Sequence, residues 1–232
     1  MIESAANAKF KRIQKLMKQA RARKKEGVFV VEGWKMVREA LQRDLVQELY
    51  CDEKEEQALA KELAKLQKRP VIEVLKTTLF KQMSDTVNPQ GVLAVITMPS
   101  YDREQMISSS ECKLLCLENI QDPGNLGTIV RLADWFGIRH IVCSPDTADL
   151  YTPKVVQATM GALARVKVYY TSLPDFLSQV DSSVVYGTFL DGEDIYHTPL
   201  TKSGVIVMGN EGNGISAKLE PYIGKRLYIP NY

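Results

Sequence analysis

The chain has 232 residues, 45% of them hydrophobic, with a formal net charge of +2. That is enough apolar material for a sizeable core and more length than the commonest single domain, so two domains are expected. No apolar run is long enough to span a bilayer, and Met1 is followed by Ile-Glu-Ser-Ala rather than by a charged segment leading into a signal-peptide core; a soluble, cytoplasmic protein is expected.

The near-neutral total conceals an asymmetry. Residues 1–25 carry nine Lys and Arg against the single acid Glu3, which leaves 21 basic against 27 acidic residues in the rest. Phe10, Ile13, Met17 and Ala20 recur at helical spacing between these cations, which predicts an amphipathic helix presenting its charge outward. Lys9, Lys11, Arg12, Lys15, Arg21 and Arg23 are then candidate contacts to the phosphates of a nucleic acid, although a solvated helix face explains the same charge.

Further along, residues 28–31 read as a strand, Glu32-Gly33 as a turn and residues 34–41 as a helix. Residues 49–51, 71–74 and 92–96 are further strand candidates, with a charged helix over about 55–67 and a turn at Asn88-Pro89-Gln90-Gly91. This describes a small α/β domain over residues 1–98, followed by a polar linker at 99–111. A second domain over 112–232 contains apolar strand candidates at 114–117, 140–143, 166–170, 184–189, 205–208 and 226–229, separated mostly by helical segments. That pattern predicts a parallel sheet covered on both faces.

The cysteines Cys51, Cys112, Cys116 and Cys143 lie in or beside apolar runs and read as reduced core thiols. Cys112 and Cys116 are spaced like a ligand pair, yet the chain offers only His140 and His197 and no second cysteine pair, so no metal is assigned.

Ligands of parallel sheets bind at the loops leaving the carboxyl ends of strands. Three such loops have unusual chemistry. Residues 118–127, Glu-Asn-Ile-Gln-Asp-Pro-Gly-Asn-Leu-Gly, make a tight turn into a helix, with Asn125 or Thr128 as candidate cap. That helix carries Arg131 among Ile129, Val130, Leu132, Trp135 and Phe136, where an ion pair and an anion-binding role are equally good explanations. The second loop, Gly209-Asn210-Glu211-Gly212-Asn213-Gly214, has glycines that permit close backbone approach to a ligand, and Glu211 reads either as a site acid or as a cap for a following helix. It has neither the placement of a dinucleotide fingerprint nor a following Gly-Lys-Ser/Thr. The third is Ile229-Pro230-Asn231-Tyr232.

Together these loops resemble the SpoU (TrmH-type) family of RNA ribose 2′-O-methyltransferases in the SPOUT superfamily. Asn119, Asp122, Pro123, Asn125, Gly127 and Arg131 fit its first motif, residues 208–215 its second, and Ile229-Pro230 the start of its third. Residues 1–98, with Val30-Val31-Glu32-Gly33 and Asn88-Pro89-Gln90-Gly91, resemble the ribosomal-protein-like substrate-binding domain that precedes the catalytic domain in such proteins. The resemblance implies an α/β-knot (SPOUT) domain behind a smaller α/β domain, S-adenosylmethionine as cofactor, and a homodimer. It places the cofactor against Gly209, Asn210 and Ile229, with Thr188 and Leu190 nearby, and implies catalytic roles for Arg131, Asn119 and Glu211.

Methylating a ribose hydroxyl requires in-line attack on a sulfonium methyl and removal of a proton from a weak acid. No histidine lies in a motif, and a free guanidinium, with a pKa of roughly 12 or higher, is a poor base. Two versions stay open: Arg131 as a perturbed base, or as a cation that holds a phosphate and stabilises developing alkoxide charge. The family's third motif continues beyond Ile-Pro with a Ser-Leu-Asn segment and a final helix, so residues following Tyr232 are expected. Ribosomal RNA of the large subunit is the implied substrate, with transfer RNA as the alternative. A non-catalytic RNA-binding protein with a vestigial cofactor site is the rival from another class.

Overall fold

The computed structural model describes residues 1–67, 69–101 and 113–231, which form two compact units. The first comprises Met1–Pro99 together with Tyr151–Gly161, and the second comprises Ser100–Leu150 and Ala162–Tyr232. The division expected at 99–111 is thus interrupted once, since Tyr151–Gly161 leaves the second half of the sequence to pack with the first unit. Residues 102–111 of the expected linker, and Cys112 of the candidate metal pair, lie outside the described residues. Among the described residues, no helix is long and apolar enough to cross a membrane.

The first unit runs α1 (Ala8–Lys18), α2 (Ala20–Glu26), β1 (Val28–Glu32), α3 (Trp34–Gln42), β2 (Val46–Asp52), α4 (Glu56–Leu63), β3 (Ile72–Leu75), α5 (Thr77–Met83) and β4 (Val92–Thr97). Its sheet has the order β1-β4-β2-β3, with β4 antiparallel to both neighbours and β3 parallel to β2. Phe10, Ile13, Leu16 and Met17 of α1 share a core with Leu79, Phe80 and Met83 of α5 and with Val28, Tyr50 and Leu93 of the sheet. The helix α7 (Pro153–Ala158) packs on β1, where the rings of Phe29 and Tyr151 meet at 4.6 Å. Gln90 explains the turn at 88–91: its Oε1 accepts the Trp34 amide at 2.9 Å, so it takes the place of the cap that Gly33 cannot supply to α3.

The basic N-terminal segment departs from its expected form. The helix is broken at Gln19, whose extended backbone (φ −125°, ψ 111°) separates α1 from α2. The last carbonyls of α1 then need donors, and Arg23 provides them: it is 2% exposed and donates to Leu16 O at 2.7 Å and Met17 O at 3.1 Å. Arg12 is held by Glu26 and Glu48 at 2.6 Å each, and Lys9 pairs with Glu73. Arg23 is therefore turned into the fold and is no part of an outward basic face, while Lys9 and Arg12 are engaged in ion pairs at the surface.

The second unit contains β5 (Lys113–Leu117), α6 (Pro123–Trp135), β6 (His140–Cys143), β7 (Lys167–Tyr170), α8 (Leu173–Leu177), β8 (Val185–Asp194), β9 (Gly204–Met208) and β10 (Lys225–Tyr228). All neighbours in the sheet β10-β8-β9-β5-β6-β7 run parallel, as the apolar strands predict. One face packs Leu114, Cys116, Val142 and Val207 against Leu173, Phe176 and Leu177 of α8. Cys51, Cys116 and Cys143 are buried free thiols, with desolvation pushing Cys51 and Cys143 up to about 12.

Because the N-terminal segment belongs to a core and is not a loose tail, Phe10→Ala is expected to destabilise the first unit by about 3–5 kcal/mol. A urea titration of the whole chain measures this, and a loss below about 1 kcal/mol would show that α1 is not anchored.

Candidate active site

Strand β5 lies between β6 and β9, so the chain's progression across the sheet reverses at its carboxyl end. Leu117 pairs with Met208 there, and the loops following β5 and β9 leave side by side. The Glu118 amide donates to Met208 O at 2.9 Å, and the Glu118 carboxylate accepts from the Ser216 amide at 2.8 Å and the Ser216 hydroxyl at 2.6 Å. Asn119 follows in the left-handed region (φ 55°), which asparagine tolerates better than most residues. Its carbonyl accepts from Asn210 Nδ2 at 2.9 Å.

The glycine loop is organised by Asn210. The Asn210 amide donates to Gly214 O at 3.0 Å and Gly214 N returns a bond to Asn210 O at 2.8 Å. The side-chain Oδ1 accepts the amides of Gly212 and Asn213. A Cβ on Gly209 would lie 2.1 Å from the Gly214 carbonyl, so glycine is required by steric closeness.

The turn into α6 is capped by Asp122, whose carboxylate accepts the Asn125 amide at 2.8 Å, with Pro123 at the first helical position. Asn125 and Thr128 are therefore not the cap. Asn125 instead donates through Nδ2 to Glu211 Oε2 at 3.2 Å, which links the two loops and leaves Glu211 without the helix-capping role that its position had also suggested.

Arg131 is exposed and, among the described residues, makes no hydrogen bond or ion pair. The sequence expectation that it needs a partner assumed buried apolar neighbours. In fact α6 buries Leu126, Gly127, Val130 and Ala133, while Leu132, Trp135 and Phe136 are 50%, 84% and 72% exposed.

Two cavities flank the glycine loop. One, of about 530 Å³, is lined by Thr188, Leu190, Gly209, Ile215, Tyr228 and Ile229 among others. Its outer wall comes from a register break. Gly187 pairs with Arg226, and the next pair is Glu193 with Leu227, so residues 188–192 bow out of the β8–β10 ladder. The other, of about 600 Å³, lies between the glycine loop and the start of α6, lined by residues that include Ile120, Asp122, Asn125, Thr128 and Glu211. The expected cofactor set of Thr188, Leu190, Gly209, Asn210 and Ile229 is thus brought together, and Glu211 borders both cavities. Asn119 and Arg131 line neither.

Sequence reasoning missed Ser144 and Thr147. They are 6% and 5% exposed, lie 3.1 Å apart through their hydroxyls, and accept the amides of Asn119 at 2.8 Å and Ile120 at 3.3 Å. The only signal available was two hydroxyls directly after the strand at 140–143, which reads as an ordinary polar turn.

This arrangement has relatives. Residues 113–232 match the SpoU rRNA methylase family, and residues 7–94 match an MRM3-like substrate-binding domain. The chain belongs to the SpoU family. It is 32% identical to the 23S rRNA (guanosine(2553)-2′-O)-methyltransferase RlmP of Bacillus subtilis, with 100% of this chain and 90% of that protein covered. It is 29% identical to human mitochondrial rRNA methyltransferase 3 over 71% of this chain, but spans only 41% of that protein's length. Among solved structures, a TrmH-family protein from Porphyromonas gingivalis superposes with a TM-score of 0.82 at 35% identity, covering 99% of this chain and 90% of that one. The S-adenosylmethionine-bound rRNA methyltransferase of Sinorhizobium meliloti gives 0.85 at 25% identity, covering 100% and 88%. As a SpoU-family protein the chain has the α/β-knot domain and preceding α/β substrate-binding domain that its motifs implied.

Gly209→Ala is expected to break the paired Asn210–Gly214 bonds, giving at least about tenfold faster amide exchange at both residues with little change in the β5 amides. Unchanged exchange at Asn210 and Gly214 would show that the loop tolerates the added methyl.

Proposed function

We propose that this protein transfers the methyl group of S-adenosylmethionine to a ribose 2′-hydroxyl of large-subunit ribosomal RNA in the cytoplasm. The observation that carries the reading is the glycine loop. It is locked to the post-β5 segment at the sheet's switch point and opens on an apolar-walled cavity.

That cavity suits the cofactor. At about 530 Å³ it falls within the roughly 300–1,000 Å³ of small-molecule sites, and Leu190 and Ile229 leave 94% and 47% of their surface uncovered beside the backbone of the loop. Leu190, Ile215 and Ile229 supply apolar contact for a purine, and residues 209–212 of the loop line the same cavity. The cofactor, once bound, supplies an electrophilic sulfonium methyl.

The chain's own groups then have separable tasks. Glu118, Ser144, Thr147 and Asn210 fix the loops. Glu211, tied to Asn125, orients the wall shared by both cavities. Arg131 offers a fork of donors suited to a phosphate and to the charge that develops on the ribose oxygen, and is read as the electrostatic partner of the reaction. Because it lies outside both cavities of its own chain, beside the exposed Leu132, Trp135 and Phe136, the reading includes a homodimer that covers this apolar face and brings Arg131 to a cofactor site.

Incubation with S-adenosylmethionine bearing a labelled methyl group and ribosomal RNA is expected to yield a 2′-O-methylated nucleotide on nuclease mapping. Label in no RNA, or only in transfer RNA, would overturn the assignment. Arg131→Ala is expected to lower turnover by about 10²–10³-fold while calorimetry finds cofactor affinity within a few-fold of the parent; unchanged turnover removes Arg131 from the mechanism. Trp135→Glu is expected to give a monomer by light scattering, and a dimer of unchanged stability would place the interface elsewhere.

A further inference from the structure

We propose that Arg226 is a positioning residue for the cofactor: its guanidinium clasps the bowed segment 188–192 of β8 to the turn that follows the glycine loop and so sets the outer wall of the cavity. This rests on the S-adenosylmethionine reading above and names the side chain that governs how tightly that ligand is held.

The bow lacks the support that holds the rest of β8. Pairing with β9 ends at Gly187–Val207, and pairing with β10 skips from Gly187–Arg226 to Glu193–Leu227. Among the described residues, 188–192 therefore have no ladder partner on either side. Both ends of the bow are crowded. A Cβ on Gly187 would lie 2.7 Å from the side chains of Ile223 and Phe189, and one on Gly192 would lie 2.4 Å from the Leu227 backbone. Between these ends, the Phe189 ring packs on the core of the second unit, and the Thr188 hydroxyl reaches Val207 O only at 3.4 Å. Leu190, at the tip, is exposed.

Arg226 supplies what the ladder does not. It stands on β10 at the last pair before the break. Its guanidinium carbon lies 3.6 Å from the centroid of the Phe189 ring, while Nη2 donates to Asp191 Oδ1 at 2.6 Å and Nη1 to Glu220 Oε2 at 3.1 Å. Glu220 begins the single turn Glu220–Tyr222, which leads through Tyr222 and Ile223 back to the same core. One side chain thus joins three segments that each line the cavity: Thr188, Phe189 and Leu190 of the bow, Glu220 of the turn, and Tyr228 and Ile229 beyond Arg226 itself. The hydrogen bond from Arg226 holds the Asp191 carboxyl below the usual carboxylate range, so the pair stays charged at neutral pH. Each carboxylate contact alone is exposed and weak, but a planar fork stacked on a ring joins them in one group, which lysine cannot reproduce. A wall that is already ordered spares the ligand the entropy of ordering it, so the clasp acts on affinity and not on the methyl-transfer step.

In the unliganded chain, NMR order parameters at residues 189–191 are expected to lie near about 0.85 and to fall below about 0.6 in Arg226→Ala, with those of β5 unchanged. Calorimetry with S-adenosylmethionine is expected to show about tenfold weaker binding by Arg226→Ala. On ribosomal RNA, KM for the cofactor rises equally, while KM for RNA and kcat at saturating cofactor stay within about threefold of the parent. Arg226→Lys keeps the charge without the fork and recovers only a minor part of the affinity. The Asp191 side chain is 72% exposed, so Asp191→Asn keeps the test open if Arg226→Ala fails to fold. It is expected to weaken binding about threefold, and the double variant to bind no more weakly than Arg226→Ala alone. Cofactor affinity within about twofold of the parent in both single variants, full recovery by Arg226→Lys, a fall in kcat without a rise in cofactor KM, or additive losses in the double variant would each overturn the proposal. Failure of the parent to bind S-adenosylmethionine would instead overturn the cofactor reading, since the order parameters are measured without ligand.

Discussion

The candidate site depends on one adjacency: the carboxyl ends of β5 and β9 are neighbours in a parallel sheet. From the Leu117–Met208 pair onward the two loops have no ladder to hold them, and side-chain bonds take over. Glu118 grips Ser216, Asn210 grips the Asn119 carbonyl, and Asn125 reaches Glu211. Each bond joins a residue of the first loop to one of the second across at least 86 positions of sequence. The wall between the two cavities is therefore held from both sides, and its shape does not depend on the glycines being stiff. Glycine at 209 is there for closeness, and rigidity comes from the asparagines and from Glu118.

The strand and helix pattern of this fold was legible because burial on both faces makes parallel strands apolar throughout. The strand at 140–143 was located to the residue, and those beginning at 113 and 204 to within one. The misses have identifiable causes. β8 runs to Asp194 where the sequence suggested an end at 189, because Leu190, Asp191 and Gly192 look like a loop. They do leave the β10 ladder, and the strand then resumes pairing at Glu193. Helix α5 carries too short an apolar stripe, Leu79, Phe80 and Met83, to stand out by period. Tyr151–Gly161 packs with the first unit, a tertiary choice that leaves no mark on composition.

Charge was legible as an amount but not as an allocation. Nine cations near the N-terminus suggest a polyanion partner, yet helical spacing alone cannot tell Arg23, which satisfies carbonyls at a helix break, from Arg21, which faces water. The break at Gln19 has no glycine or proline to announce it. Once it forms, the carbonyls of Leu16 and Met17 lose their helical donors, and an arginine one turn later becomes structural. Similarly, Asp122 rather than Asn125 caps α6, with Pro123 at the first helical position, and this leaves the Asn125 side-chain Nδ2 to donate to Glu211.

The residues proposed to act on the cofactor and the ribose share a property opposite to that of the scaffold: their bonding capacity is left open. Asn119 Oδ1 is buried and accepts no hydrogen bond among the described residues, although the backbone of the same residue is held on both sides by Ser144 and Asn210. Among the described residues Arg131 carries donors with no acceptor, and Leu190 and Ile229 are exposed. A buried acceptor without a donor costs about 1–3 kcal/mol, and exposed apolar side chains forgo the gain of burial. Such costs are tolerated where a ligand or a second subunit removes them. In this chain they converge on the loops after β5 and β9, on the bowed segment of β8 and on the outer face of α6. The scaffold bonds of Glu118, Ser144, Thr147 and Asn210 hold the backbone of these loops while those groups remain unsatisfied.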